Sequence, residues 1–144
     1  MKKYIFSLSI GFITMMGIAM LVAMASAPFL SHLFGETIRK EDQDGILLPA
    51  LLGGYFSLTL LMTFGFNFFF IKITDWKKKG LTFGLFCGLI AIFSDHLIIA
   101  GWSRLPILPM FVSGITDMLA PIATGLVISY FQKETKNEKP ISRK

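Results

Sequence analysis

The sequence predicts an all-α membrane protein: four transmembrane helices in an antiparallel bundle, both termini cytoplasmic. Two features of composition and one of charge placement carry that expectation. The apolar residues AVILMFWYC make up 53 % of the 144, and 13 glycines raise the share to roughly 62 %, well above the ~45–50 % of a soluble chain counted the same way. Only 16 % of residues are charged, too few to cover a small chain that buries about two-thirds of its unfolded surface. The lysines and arginines are also confined to particular connections, as membrane topology requires.

A bilayer-spanning helix needs about 20 predominantly apolar residues. Four stretches qualify, at about 5–27, 46–73, 81–102 and 105–131, followed by a basic tail over 132–144 expected to be disordered. The first could instead be read as a secretory signal, since Lys2 and Lys3 precede it and Ala25-Ser26-Ala27 resembles a cleavage site. Its apolar length exceeds a signal core, and Pro28 would follow the cut, so a retained helix is expected. Ser103 to Pro106 then forms a tight hairpin that makes the third and fourth helices antiparallel neighbours.

Orientation follows from the basic residues. Lys2 and Lys3, the connection holding Lys72, Lys77, Lys78 and Lys79, and the tail together carry eleven of the 14 lysines and arginines. The opposite side has Arg39, Lys40 and Arg104 beside Glu36, Glu41, Asp42 and Asp44. The positive-inside rule puts both termini in the cytoplasm, and the even span number agrees. Tyr4, Trp76 and Tyr130 fall at the inner boundary and Trp102 at the outer one, where amphipathic rings sit. The formal charge of +5 therefore reads as topology and attraction to anionic lipid at the cytoplasmic face. No basic stripe interleaved with stacking aromatics suggests nucleic acid.

An aspartate near the centre of a membrane helix costs ~2.5–3.5 kcal/mol, so Asp95 and Asp117 each need a compensating environment. On the third helix Gly84, Gly88, Ala91 and Asp95 recur at four, three and four residues; on the fourth, Gly114, Asp117, Pro121 and Gly125 recur at three, four and four. Small residues mark the faces where membrane helices approach, so both aspartates are expected on packing faces and in contact. Pro121 cannot donate the hydrogen bond that would reach the Asp117 carbonyl, which leaves a carboxyl and a freed carbonyl together. That suits a proton, a cation or a polar substrate group, or a kink satisfied locally by Thr116, Thr124 or water. His96 points about 100° from Asp95 and either modulates proton movement or is a neutral histidine bonded to backbone. Thr59, Thr63 and Asn67, with Tyr55 above them, form one polar stripe at intervals of four, expected to face the bundle and bond across helices. Phe66, Phe68, Phe69 and Phe70 read as lipid contacts, and Met15, Met16, Met20 and Met24 as filler.

No phosphate-binding glycine loop, histidine pair at helical spacing or serine elbow is present in the sequence, so neither an enzyme nor a bound cofactor or metal is expected. Cys87 is the one cysteine, and Glu41, Asp42, Asp44 and Gly45 lack a calcium-loop spacing. Pro28 with Phe34-Gly35, the glycine-spaced third helix, and Gly114, Asp117 and Gly125 in the fourth together resemble a loosely defined family of small four-helix bacterial membrane proteins without an assigned activity. The resemblance implies this topology in a bacterial inner membrane and carries no site residue. Two functions are open: proton- or cation-linked transport or permeation of a small solute by an oligomer, or a non-catalytic membrane subunit, an assembly partner of another membrane protein, whose aspartates are structural.

Overall fold

A computed structural model describes residues 2–34, 48–70, 72–102 and 104–133. The acidic cluster Glu41, Asp42, Asp44 with Gly45, Ser103 of the expected hairpin, the Trp102 side chain and the tail from 134 onward lie outside the described residues. The elements are α1 (Lys2–Phe34), α2 (Leu48–Gly65), α3 (Trp76–Cys87), a π-helical segment (Gly88–Phe93), α4 (Ser94–Trp102), α5 (Ile107–Asp117) and α6 (Leu119–Gln132). α3, the π segment and α4 run on as one rod, and α5 and α6 meet across Met118 alone, so four helical stretches are long and apolar enough to cross a membrane. Their outward residues are large and apolar, Ile13, Met24 and Phe29 on α1 and Leu61 on α2 among them, as a lipid solvent permits. The chain is a multi-pass membrane protein.

Two helix boundaries differ from the hydropathy reading. The second span ends at Gly65 rather than near residue 73: Phe66 to Phe69 form turns, and Phe70 adopts a left-handed φ of 52°. A run of phenylalanines is apolar in any backbone conformation, so hydropathy alone does not register the turn. Phe66 is also no lipid contact, because it is 3 % exposed and packs edge-on against the buried Phe83 at 5.3 Å. The third span starts earlier than expected, at Trp76, because the Asp75 carboxylate caps it by accepting from the Lys77 and Lys78 amides at 2.8 and 3.0 Å.

α6 occupies the middle, packed on one side against α1 and on the other against α3, while α2 lies mainly on α1 and α4 on α5. The contact of α3 and the start of the π segment with α6 is a seam of small residues, Gly80, Gly84 and Gly88 facing Pro121, Gly125 and Ser129. A Cβ placed on Gly125 would come within 2.5 Å of the Gly80 carbonyl oxygen, and one on Gly84 within 2.6 Å of the Ile122 Cα. Backbones touch there, as small-residue spacing allows in membrane helices. Behind the seam, Met15, Met62, Phe83 and Ile128 form the core, so Met15 fills space as expected while Met20 and Met24 face outward.

One end gathers the aromatic and basic side chains. Trp76 and Tyr130 pack at 5.3 Å, and Lys133 lies 3.8 Å from the Tyr130 ring centroid. Asn67 donates to the Tyr4 hydroxyl and to Gln132 Oε1, which joins α1, the turn after α2, and α6 at this end.

Candidate functional site

The sequence expectation that Asp95 and Asp117 share a site is not met. Asp95 is exposed on the outer side of α4, and the residue that reaches Asp117 is its neighbour His96, with Nε2 3.2 Å from Oδ2. The reason is the π-helical segment. Its i→i+5 bonding inserts one residue into the turn relative to an α-helix, so the packing face advances by one position. Ala91 and Asp95, which a regular helix would bury, turn outward, and Ile92, His96 and Ala100 turn in. Ser94 anchors the wide turn, because both its backbone N–H and its hydroxyl donate to the Leu89 carbonyl, the latter at 2.8 Å.

His96 is held from both sides. Its Nδ1 lies 2.8 Å from the Ile92 carbonyl oxygen, and a carbonyl only accepts, so Nδ1 carries a proton and donates it. That fixes the role of Nε2: it faces Asp117 Oδ2 with one proton to share between them. The pair is either imidazolium with carboxylate or neutral imidazole with carboxylic acid, and in both forms its net charge is zero. Loss of the shared proton leaves one negative charge, at a position flanked by apolar helix on both sides. Ser113, one turn before Asp117, donates to Oδ2 at 3.2 Å and lies 3.4 Å from Nε2.

Close approach of the two helices is permitted by Gly114, where a Cβ would stand 3.2 Å from both the His96 Cβ and the Phe93 ring. The side chains of His96 and Asp117 remain 21 % and 30 % exposed, so the pair is reachable from outside a single copy. Pro121 acts as the sequence suggested: the helix breaks at Asp117, with Met118 between α5 and α6, and regular bonding resumes with the Ile122 amide on the Met118 carbonyl at 3.1 Å. Carboxyl, imidazole, hydroxyl and helix break thus coincide.

The polar stripe on α2 divides. Thr59 and Thr63 are fully buried and face the bundle as expected, but they do not bond across helices. Each hydroxyl donates at 2.8 Å to the carbonyl four residues earlier, of Tyr55 and Thr59 respectively, which satisfies it within its own helix. Asn67 is the member that bonds across, together with Gln132, whose amide donates to the Thr63 carbonyl at 3.1 Å.

Sequence reasoning missed Ser113, although its spacing of four from Asp117 was visible. Among the described residues no three His, Cys, Asp or Glu side chains gather in a way that would hold a metal ion. No protein-family model matches the chain, and comparison with curated proteins and with solved structures found no similar protein.

Proposed function

We propose that the protein performs proton-linked transport or permeation of a small solute, with the His96–Asp117 pair as its proton-binding group. The observation that carries this reading is the close approach of two groups able to hold one proton between them. An imidazole whose other nitrogen is tied to a carbonyl faces a carboxyl at 3.2 Å, inside a segment apolar enough to span the bilayer. Titratable residues so placed are expensive in lipid and are commonly proton or substrate sites. The helix break at Pro121 and the wide turn at Gly88–Phe93 supply two places where the helices can bend beside the pair. The distribution of lysines supports an N-in, C-in arrangement of an antiparallel bundle in a bacterial inner membrane. The resemblance to small four-helix bacterial membrane proteins points the same way. Partial exposure of the pair suits an oligomer, because four short helices enclose little room for a pathway.

A second reading is favoured by a separate observation: among the described residues, no buried side-chain nitrogen or oxygen lacks a hydrogen-bond partner. A fully satisfied set of polar groups would also serve a membrane subunit whose His96–Asp117 contact only clamps α4 to α5. Reconstitution separates the two. In proteoliposomes loaded with a pH-sensitive dye, Asp117→Asn and His96→Ala should each lower proton flux at least tenfold while the elution volume of the purified protein stays unchanged. Absence of flux in the unmodified protein, with poor folding of both variants, would instead establish the clamp.

A further inference from the structure

We propose that two copies of the chain pair through the outward face of α4, with the Asp95 carboxyl of one copy hydrogen-bonded to that of the other. This goes beyond the proton-binding reading above, whose groups all lie within one copy. It starts from the surroundings of Asp95. The residue is exposed on the outward side of α4, and among the described residues its carboxyl has no hydrogen-bond or ion-pair partner. The adjacent imidazole does not serve, because it is turned about 100° around the helix and engages Asp117 at 3.2 Å.

Depth makes that lack of a partner costly. Trp76 with Lys77, Lys78 and Lys79 holds one end of the α3–α4 rod at a membrane surface. About 30 Å of hydrocarbon then takes up about twenty residues, to the neighbourhood of residue 100, so Asp95 lies inside the apolar layer. A lysine at that depth reaches the headgroups along its own stem, whereas an aspartate has a single methylene and cannot. Acids in spans face a protein interior or a water-filled cavity, or pair with one another. A single copy offers Asp95 an outward face on an apolar rod.

A second copy meets the requirement by symmetry. Copies inserted in one orientation are related by a two-fold axis along the membrane normal, so an isologous contact sets a residue near the axis opposite itself at equal depth. Few polar groups tolerate this: two lysines repel, but a carboxyl that keeps its proton both donates and accepts. Two such carboxyls close a pair of hydrogen bonds with no net charge in the lipid. The neighbours leave room for the approach. Ala91, one turn before Asp95, is small and exposed, Ile98 one turn after it is exposed, and a Cβ on Gly101 would meet nothing within 4 Å. Small residues beside a polar one are what close crossings of membrane helices use.

Equilibrium sedimentation of the full-length protein in density-matched detergent, over a range of protein-to-detergent ratios, should show a monomer–dimer equilibrium. Asp95→Leu gives each copy an unbroken apolar face, so it should keep its helix content and weaken the dimer by about tenfold or more. Asp95→Asn should bring self-association back to within about threefold of the unmodified protein, because an amide also donates and accepts. Should Asp95→Leu aggregate, Asp95→Ala repeats the test. Crosslinking then locates the face. In a Cys87→Ser background oxidised with copper phenanthroline, Ile98→Cys should give a disulfide-linked dimer, and Ile13→Cys, on the exposed side of α1, should not. A monomer at every ratio overturns the proposal and leaves this face to a different membrane protein. Equal dimer strength in Asp95→Leu and the unmodified protein, or crosslinking through Ile13→Cys alone, overturns it by placing the contact elsewhere. None of these readouts uses proton flux, so a monomer whose flux depends on Asp117 would end this proposal and spare the proton-binding reading.

Discussion

The seam between α3 and α6 and the hairpin of α4 with α5 bring helices together by opposite means. In the seam, Gly80, Gly84 and Gly125 let backbones touch with no side chain between them, so stability comes from dispersion and close fit. In the hairpin the regular helix is abandoned twice, at the π segment and at Met118, and the contact is made by His96, Ser113 and Asp117. Both use a small residue to permit approach, yet Gly114 admits an imidazole where Gly125 admits a carbonyl. The difference separates a contact made by backbones from one made by ionisable and hydroxyl side chains.

The largest effects are expected in the seam. Gly125→Ala or Gly84→Ala places a methyl within 2.5–2.6 Å of backbone that cannot step aside, so α6 must lift off α3. Overpacking of this kind costs about 1–3 kcal/mol, and the unyielding backbone puts these two near the upper end. Thermal unfolding in detergent should show a clear fall in Tm for both. Gly53→Ala on α2, which meets nothing within 4 Å, is the control and should leave Tm unchanged or slightly raised. Equal behaviour of the three would mean that the seam does not govern stability.

Next in size is the phase of the third span. Removing Ile90 from the π segment only takes out its extra residue and leaves His96 in phase with Gly84 and Gly88, so the phase is tested instead by inserting one alanine between Ser94 and Asp95, which should turn the rest of α4 by about 100°, so that Asp95 faces α5 and His96 faces outward. Proton flux should fall to the level of His96→Ala while the helix content seen by circular dichroism is kept. An insertion variant with full flux would show that the phase of α4 does not set the pair. Gly114→Ala tests the same contact more gently: its methyl meets the His96 Cβ at 3.2 Å, a distance a side chain can yield by a few tenths of an ångström. A several-fold loss of flux with little change in Tm is expected, the reverse of the Gly125 result.

These pairs also show where the sequence was legible. Four spans could be read because crossing a bilayer imposes a length of apolar chain and little else. The break at Asp117 could be read because the missing N–H of Pro121 acts four residues away, whatever packs around it. The identity of Asp117's partner could not, because Gly84, Gly88, Ala91 and Asp95 obey helical spacing perfectly well, and nothing in a single sequence announces the extra residue of a π turn. Ser94 bonding back to Leu89 is a property of that turn, visible only once the turn exists. Thr59 and Thr63 were placed on the right face but given the wrong partners, since a hydroxyl in a helix has its own carbonyl as near as any neighbour. The turn at Phe66–Phe70 was hidden for a simpler reason: hydropathy measures solvent preference, and phenylalanine in a turn prefers lipid as strongly as phenylalanine in a helix.

The smallest expected effect lies at the start of α3, where the seam begins. Asp75 is fully exposed, and its carboxyl is held below the usual value of 3.8, first by the hydrogen bond from the Lys78 amide, then by that from Lys77 and by the charges of both lysines. A carboxyl whose folded value is depressed adds stability that is complete above its unfolded value and is lost as pH falls through the folded one. The contribution is therefore complete at neutral pH, begins to fall near pH 4 and is gone only below the depressed folded value. Asp75→Ala should lower Tm slightly at pH 7, and the gap from the unmodified protein should narrow as the pH is taken down toward 3. Asp75→Asn, which keeps a capping oxygen without the charge, should fall between the two at pH 7 and show little further dependence on pH. A gap between Asp75→Ala and the unmodified protein that stays constant to pH 3 would mean the carboxylate's ionisation plays no part in starting this helix, and that the seam alone holds α3 in place.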